Sequence, residues 1–192
     1  TTNPTYTFSG TLNDGNISIP VSRTGTSQAK RGFNLVGNPY PSYLNWDDAD
    51  KTNVMSTIWT RTYEGSAMVF KTYNADAKVG SDDETTARIA PLQAFWVKVP
   101  ENKVDVEGLT LNFNNSQRSH KTNDDDYLRA PGLTQRNADK YTEDAMRQLL
   151  RLQISNGINS DNAVIVFDER ASNSFDLYDS EKVSNDNDMV PE

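Results

Sequence analysis

Apolar and small polar residues alternate along several short stretches of the chain. The alternation is clearest in Tyr6–Leu12, Ile17–Val21 and Gly108–Phe113, and Thr57–Tyr63 is rich in β-branched and aromatic residues. Patterns of this kind are typical of β-strands with one buried face. The first two stretches flank the turn-forming residues Asn13–Asn16, so they predict a β-hairpin.

Leu92–Val99 is almost continuously apolar and is bounded by prolines. Such a run suggests burial on both faces and therefore a strand in the middle of a sheet. Near the C-terminus, Leu149–Ile154 and Asn162–Phe167 flank the turn-rich segment Ser155–Asp161. These two stretches predict a second hairpin.

Roughly ten short strands separated by turns, without a convincing long helix, predict a mostly β fold with little helix. We expect an antiparallel β-sandwich or jelly-roll-like architecture, with two packed β units as an open alternative to one. The predicted divisions are a β-sandwich unit at residues 1–113, a polar connecting stretch at 114–134, and further strands of the same or a second unit at 135–192.

The amino-acid composition argues against several classes of binding partner and chemistry. The net charge of −8 and the pI near 4.7 argue against nucleic acid, because phosphate binding needs a basic surface. The chain contains no cysteine, which excludes disulfides and thiolate chemistry. No apolar run approaches the length of about 18 residues that a membrane span needs, so we predict no membrane insertion.

The segment Asn38–Ser42 contains two prolines two residues apart, which predicts a rigid corner held by side-chain hydrogen bonds. Asn45 is placed to cap a short helical turn whose first residues are acidic. An alternative interpretation makes Tyr40, Tyr43 and Trp46 an aromatic platform for a sugar ring. In that interpretation Trp46 is exposed, and polar groups next to it bind the sugar hydroxyls; these are Asp47 and Asp48.

Clusters of oxygen-bearing side chains raise the question of calcium, which prefers carboxylate and amide oxygens. The clusters are Ser81–Glu84, Asp124–Asp126, Asn159–Asn162 and Asp186–Asp188. None has the glycine and closing glutamate of an EF-hand loop. We therefore predict no bound metal and interpret these residues as solvated loop charges, with calcium as the one cofactor that their chemistry would suit.

Signatures of catalysis are missing from the sequence. His120 is the only histidine, and no Gly-x-Ser-x-Gly elbow or glycine-rich phosphate loop accompanies it. A glycoside hydrolase needs only two carboxylates at a suitable separation, and with 27 acidic residues some pair meets that condition by chance. We therefore predict that the chain is not an enzyme and keep a glycoside hydrolase only as a third hypothesis.

Gly32–Ser42, read together with Trp46, resembles a segment of large surface and secreted proteins of Bacteroidetes-type bacteria. The likeness continues in order through Phe70–Asn74, Ile89–Val97 and Ser172–Lys182. Proteins of this kind often carry a type IX secretion signal and are described as adhesin-like. The resemblance implies a β-rich module at the cell surface of a Gram-negative bacterium or outside it, and it brings no catalytic residues.

The first hypothesis is accordingly a non-catalytic structural or adhesive module of a surface or secreted protein. Because the chain ends at Glu192 without a sorting segment, we expect it to be a fragment of a longer protein. Its expected partners are neighbouring domains of that protein and either a glycan or a host or matrix protein. The alternative is a carbohydrate-binding jelly-roll module that uses the exposed aromatic residues, with or without calcium.

Overall fold

A computed structural model describes residues 7, 9–24, 27, 30–64, 67–119, 148–156 and 160–183. Within them the chain is mostly β, and helical structure is limited to three single-turn 3-10 helices. The strands are β1 (Ile17–Pro20), β2 (Phe33–Gly37), β3 (Tyr43–Asn45), β4 (Thr57–Glu64), β5 (Ala67–Asn74), β6 (Val79–Gly80), β7 (Arg88–Ile89), β8 (Ala94–Lys98), β9 (Thr110–Phe113), β10 (Arg118–Ser119), β11 (Gln148–Ser155) and β12 (Ser160–Phe167). The predicted antiparallel, sandwich-like fold with little helix is confirmed.

The largest sheet has five strands in the order β2-β8-β4-β5-β6, and all neighbours are antiparallel. Strand β8 lies inside this sheet, as its apolar sequence predicts. Phe95 and Val97 point to the inner face and are buried. Trp96 and Lys98 alternate with them and therefore point to the outer face.

Smaller sheets cover the inner face of the five-stranded sheet. One pairs β1 with β9, and another has the order β10-β3-β7. Together they enclose a hydrophobic core whose largest members are fully buried. Those members include Trp46, Phe95, Phe113, Leu44, Ile89 and Leu111.

The predicted N-terminal hairpin is wrong. Ile17–Pro20 pairs with Thr110–Phe113 on β9, far away in sequence, and residues 9–16 form no strand. That loop is held on the proline corner instead, because the Tyr40 hydroxyl donates to the Gly15 carbonyl at 2.6 Å. Asn13 also donates to a carbonyl of the corner, at 3.0 Å. Alternation identified the strand, but it did not identify the strand's partner.

The C-terminal hairpin is confirmed as β11 and β12, which pair along eight residues each. It forms a two-stranded sheet of its own. After β12 the chain returns across the outer face of the five-stranded sheet in a segment that begins with a turn at residues 177–178; we call residues 177–182 the strap. The hairpin and strap form an outer layer on the core unit of β1–β10.

The predicted connecting stretch begins too early at residue 114. Asn114 caps a 3-10 turn at Asn115–Gln117, and its side chain and that of Gln117 form a capping box. Arg118 and Ser119 then pair with β3. Residues 114–119 therefore complete the core unit, although their polar composition resembles that of a loop. Residues 120–147, including His120, lie outside the described residues.

Candidate functional site

The proline corner is built around the side chain of Asn38, which is buried. Its amide nitrogen donates to the carbonyls of Ser42, Ile89 and Ala90 at 2.8–3.1 Å. Its amide oxygen accepts the backbone N–H of Tyr40 at 3.0 Å. Prolines remove backbone donors from the corner, and the Asn38 amide satisfies the carbonyls left over. These contacts support the structural interpretation of the corner.

The predicted sugar platform is not present at this corner. Trp46 is 0% exposed and Tyr40 only 1% exposed, so neither ring offers a face to a sugar. The Trp46 ring packs edge-on against Phe95, with centroids 5.7 Å apart, and its indole N–H donates to the Ser56 carbonyl at 2.7 Å. The expectation that Trp46 is exposed is therefore wrong. The acidic residues after it do not keep the ring in water, because β3 directs the indole into the core.

The remaining residues of the predicted platform are used for local structure. Tyr43 is half-buried in β3. Asp47 accepts the Tyr73 hydroxyl at 3.0 Å, and Asp48 accepts the Asn45 amide at 2.7 Å. Burial raises the pKa of Asp47, and the hydrogen bond from Tyr73 acts in the opposite direction. The predicted cap at Asn45 is confirmed, since its side chain accepts the Asp47 N–H.

The ammonium group of Lys51 lies among the carbonyl oxygens of this acidic turn, where a bound cation would be expected. The side chain of Lys51 donates to three carbonyls, those of Trp46, Asp47 and Ala49, at 3.0–3.1 Å. Burial lowers the pKa of Lys51, while the nearby carboxylates, with Asp47 first among them, act to raise it. A metal ion would have to displace this ammonium group, so the turn offers calcium no ready site.

The predicted acidic clusters that can be described are engaged in contacts within the chain. Asp82 accepts bonds from the Thr85 hydroxyl and backbone at 2.6 and 2.7 Å and forms an ion pair with Lys71 at 2.9 Å. Asp161 forms an ion pair with Lys182. Among the described residues, no group of three potential metal ligands is close enough to hold an ion. Asp124–Asp126 and Asp186–Asp188 lie outside that part of the chain.

The strap lies on buried polar groups of the outer sheet face. The indole N–H of Trp59 donates to the Glu181 carbonyl at 2.8 Å, and Lys98 forms an ion pair with the Glu181 carboxylate. Asn74 donates to the carbonyls of Leu177 and Asp179 at 3.0 and 3.2 Å. The strap explains why Trp59 is fully buried, although it points away from the core.

A cleft of about 390 Å³ lies between β5, the hairpin and the strap. Its walls combine apolar residues such as Phe70 and Val164 with charged ones. Two acidic side chains of the cleft form ion pairs within the chain, since Asp161 pairs with Lys182 and Asp168 pairs with Arg170. We interpret the cleft as the seam along which the outer layer meets the sheet.

The hairpin has two chemically different faces. Arg151 lies on the face toward the sheet, where it donates to the Gly80 carbonyl at 2.8 Å and contacts the Asp83 carboxylate at 3.2 Å. The opposite face, which we call the apolar face, carries large side chains that are 43–57% exposed. Its members are Leu150, Leu152, Ile154, Ile165 and Phe167.

Sequence reasoning missed both the strap contacts and the apolar face. A signal for the apolar face was present, because Leu150, Leu152 and Ile154 alternate on one side of β11. That alternation shows that one face of β11 is apolar. It does not show whether another part of the same chain packs against that face. The strap anchors Trp59 and Lys98 gave no signal, since their partners are more than 80 residues away in sequence.

Comparison with known proteins gives one match. A family model described as Domain of unknown function (DUF8693) matches residues 1–190. No curated protein and no solved structure matches the chain significantly. No helix in the described part of the chain is long and apolar enough to cross a membrane.

Proposed function

We propose that this chain, which belongs to the family Domain of unknown function (DUF8693), is a non-catalytic structural or adhesive module of a bacterial cell-surface or secreted protein. The resemblance in Gly32–Ser42 and Ile89–Val97 supports the surface setting. The observation that carries the structural role is the apolar face of the hairpin. We propose that this face docks against a neighbouring β-rich domain of the same longer protein.

The physical argument begins with the size of the hairpin. A two-stranded hairpin is at best marginally stable in water, and further strands or a packing partner normally stabilise it. The sheet-facing side of this hairpin is tethered through Arg151, but the apolar face leaves on the order of 500 Å² of hydrocarbon in water, within the range in which patches mark interaction sites. Cover by the apolar side of another sheet would complete a sandwich.

A non-catalytic role is supported by the hydrogen bonds and ion pairs that polar side chains already form within the chain. Catalytic groups act through donors, acceptors and charges that remain available to a substrate. In the cleft, at the proline corner and at the acidic turn, several described polar side chains bind one another or the backbone. Examples are Asn38 with four backbone partners and Lys51 with three.

The surface setting can be tested on intact cells of the native bacterium. An epitope-tagged copy of the full parent protein should be cleaved by an externally added protease, whereas a cytoplasmic marker should remain intact. Detection of the parent protein only after cell lysis, in the cytoplasmic fraction, would contradict the proposed setting. Cleavage in the culture medium or on the cells would support it.

The docking role can be tested with a dye that binds exposed apolar surface. The chain alone should enhance the fluorescence of 1-anilinonaphthalene-8-sulfonate, and Leu152→Lys should remove most of that signal. The matched control is Leu12→Lys, because Leu12 is a highly exposed leucine outside the hairpin. The parent protein, with its neighbouring domains, should bind little dye until Leu152→Lys loosens the contact. Equal dye binding by parent and chain would contradict docking.

A further inference from the structure

The two edge strands of the five-stranded sheet are protected to different degrees. At one edge, β6 has only two residues, and Arg151 of the hairpin donates to its Gly80 carbonyl at 2.8 Å. At the other edge, β2 has five residues and, in the described ranges, a strand partner on one side only. Exposed edges are usually blunted by charged residues, prolines or bulges, because an open edge pairs with other strands. Strand β2 has no charged residue, no proline and an unbroken register with β8.

The pairing of β2 with β8 shows which backbone groups of β2 point away from the sheet. Before β2, the Val99 N–H donates to the Gly32 carbonyl at 2.8 Å. After β2, the Asn38 N–H donates to the Gln93 carbonyl at 3.0 Å. In an antiparallel pair, residues that bond to the partner strand alternate with residues that do not. The even-numbered residues of β2 therefore bond to β8, and the odd-numbered ones direct their backbone groups to the open side, which we call the free edge.

The free edge is formed by Phe33, Leu35 and Gly37. Leu35 is 57% exposed, and Gly37 is exposed as well. A side chain at Gly37 would meet no heavy atom within 4 Å apart from its chain neighbours, so the space next to it is open. The Phe33 N–H bonds to the Lys30 carbonyl at 3.5 Å, so Phe33 offers its carbonyl alone. Leu35 and Gly37 offer both an N–H and a C=O group to another strand.

We propose that the free edge pairs with the free edge of a second copy of this chain, antiparallel and about a two-fold axis at Leu35. In this register the Leu35 residues of the two copies exchange both of their backbone hydrogen bonds. The Gly37 N–H of each copy donates to the Phe33 carbonyl of the other copy. The two five-stranded sheets then form one continuous sheet, and neither copy retains an open edge at β2.

The free edge fits a second copy because its groups are symmetric about Leu35. A two-fold contact needs a surface that is complementary to itself, and the register above matches each N–H with a carbonyl. The two exposed leucines become direct cross-strand neighbours, which is a stabilising arrangement. Phe33 comes opposite Gly37 of the other copy, and an aromatic ring stabilises a glycine on an edge strand. The strand of a second copy is also already extended, so it loses less conformational entropy than a disordered segment would.

The charges next to the free edge allow this pairing. The nearest basic residues, Lys30 and Arg31, lie before β2. The register about Leu35 places residue 30 opposite residue 40 of the other copy, so the basic ends of the two copies lie far apart. The net charge of −8 on each chain opposes association, and added salt should therefore strengthen the dimer by screening that repulsion.

We expect the dimer to be weak. Pairing of five residues in each copy buries less than the roughly 1,200 Å² of stable complexes, so the Kd should be on the order of 100 μM. The free edge belongs to the core unit, and the pairing is therefore independent of the docking proposed for the apolar face of the hairpin.

Sedimentation equilibrium of the whole chain tests the pairing. All proteins carry Leu152→Lys, which prevents association through the apolar face. Leu35→Lys places a charge on the free edge and should weaken the dimer by more than about tenfold. Leu35→Pro removes the central N–H at an edge position where proline is tolerated, and should weaken the dimer similarly. The matched control is Leu12→Lys, because Leu12 is 71% exposed and lies outside β2, and it should leave the Kd unchanged.

Amide hydrogen exchange provides a second readout that is specific to the free edge. Raising the protein concentration from about 10 μM to about 1 mM should slow exchange at Leu35 and Gly37. Asn34 and Val36 donate to β8 in the monomer, so their exchange should not depend on concentration. The amide of Leu111 in the core should stay protected in every variant, which excludes misfolding as the cause of a lost dimer.

Three results would overturn the proposal. The first is a chain that remains monomeric at about 1 mM. The second is a dimer that Leu35→Lys and Leu12→Lys weaken equally. The third is protection of Leu35 and Gly37 only when the neighbouring domains of the parent protein are present, because the free edge would then bind another segment instead of a second copy.

Discussion

The core unit and the outer layer use the same sequence pattern with opposite results. In β9, Leu111 and Phe113 alternate with polar residues, and both are 1% exposed because the five-stranded sheet and its covering strands enclose them. In β11, Leu150 and Leu152 alternate in the same way and are about half exposed. Alternation therefore determines which side of a strand is apolar, and the surroundings decide whether that side is buried.

Polar groups differ between the two regions as well. In the core unit, Asn38 is buried at a corner and satisfies backbone groups from β7 and its flanking turn. Where the outer layer meets the core unit, Trp59 and Lys98 of the five-stranded sheet hold the strap, which is distant in sequence and lies at the surface. Loss of a core contact should therefore destabilise the whole fold, whereas loss of a strap contact should release the strap alone.

The largest expected effect comes from the centre of the core unit. Trp46→Ala removes a fully buried ring and its hydrogen bond to Ser56, and should lower the free energy of unfolding by about 4 kcal/mol, measured by urea denaturation. The control is Tyr63→Ala, an exposed aromatic on β4 that should change stability by less than about 0.5 kcal/mol. A loss below about 1 kcal/mol for Trp46→Ala would contradict the burial described here.

The next effect concerns the proline corner. Asn38→Ala removes a hydrogen bond from three carbonyls and one N–H, of which the Ala90 carbonyl keeps the Gln93 N–H, and should destabilise the protein by about 3 kcal/mol in the same assay. Asn13→Ala is the matched control, since Asn13 makes one exposed hydrogen bond to the corner and should cost about 0.5–1 kcal/mol. Similar losses for the two variants would mean that the corner is not organised by Asn38.

A smaller and local effect is expected at the strap. Glu181→Gln removes the carboxylate that pairs with buried Lys98, so the strap should open more often and the Trp59 indole N–H should exchange with deuterium about tenfold faster. Adding Lys98→Met should restore slow exchange, because no unpaired charge then remains. The amide of Leu111 in the core unit should be unaffected; faster exchange at both positions would show that the two regions unfold together.

The smallest effect is a dependence on pH at the loop beside the hairpin. Burial acts to raise the pKa of Asp82, but the bonds from Lys71 and Thr85 outweigh it and hold this pKa below its ordinary value of 3.8. A lowered folded-state pKa stabilises the fold above the unfolded-state pKa, and the contribution is lost as the pH falls through the folded-state value. Asp82→Asn should therefore cost about 1 kcal/mol at pH 7.

That cost should shrink as the pH falls below about 4, because protonation of Asp82 then favours the unfolded wild-type chain until the folded carboxylate is protonated too. Paired urea denaturations of the two proteins between pH 7 and pH 2.5 measure the difference. Asp14→Asn serves as the control, since Asp14 is an exposed carboxylate in the loop before β1, and its cost should stay near zero throughout. A cost for Asp82→Asn that is independent of pH would contradict the assignment.

Several features of the fold followed from particular residues in the sequence. Leu92–Val99 predicted an interior strand, and Ala94–Lys98 is one. The cap at Asn45 and the hairpin of β11 and β12 were also predicted correctly. These features depend on neighbouring residues, whose sterics and hydrogen bonds act within a few positions of each other. The sequence-based search for a site failed for the opposite reason, because exposure of Trp46 depends on contacts with distant residues such as Phe95.

By itself, the sequence determined the positions of the longer strands from β4 to β12 and which side of them is apolar, since these depend on local geometry and the period of two. Only the tertiary structure decided that β1 pairs with β9, that Trp46 is in the core and that the strap covers Trp59. The physical reason is that burial is a property of distant segments brought together. A residue's own type gives its preference for burial, and the fold decides whether that preference is met.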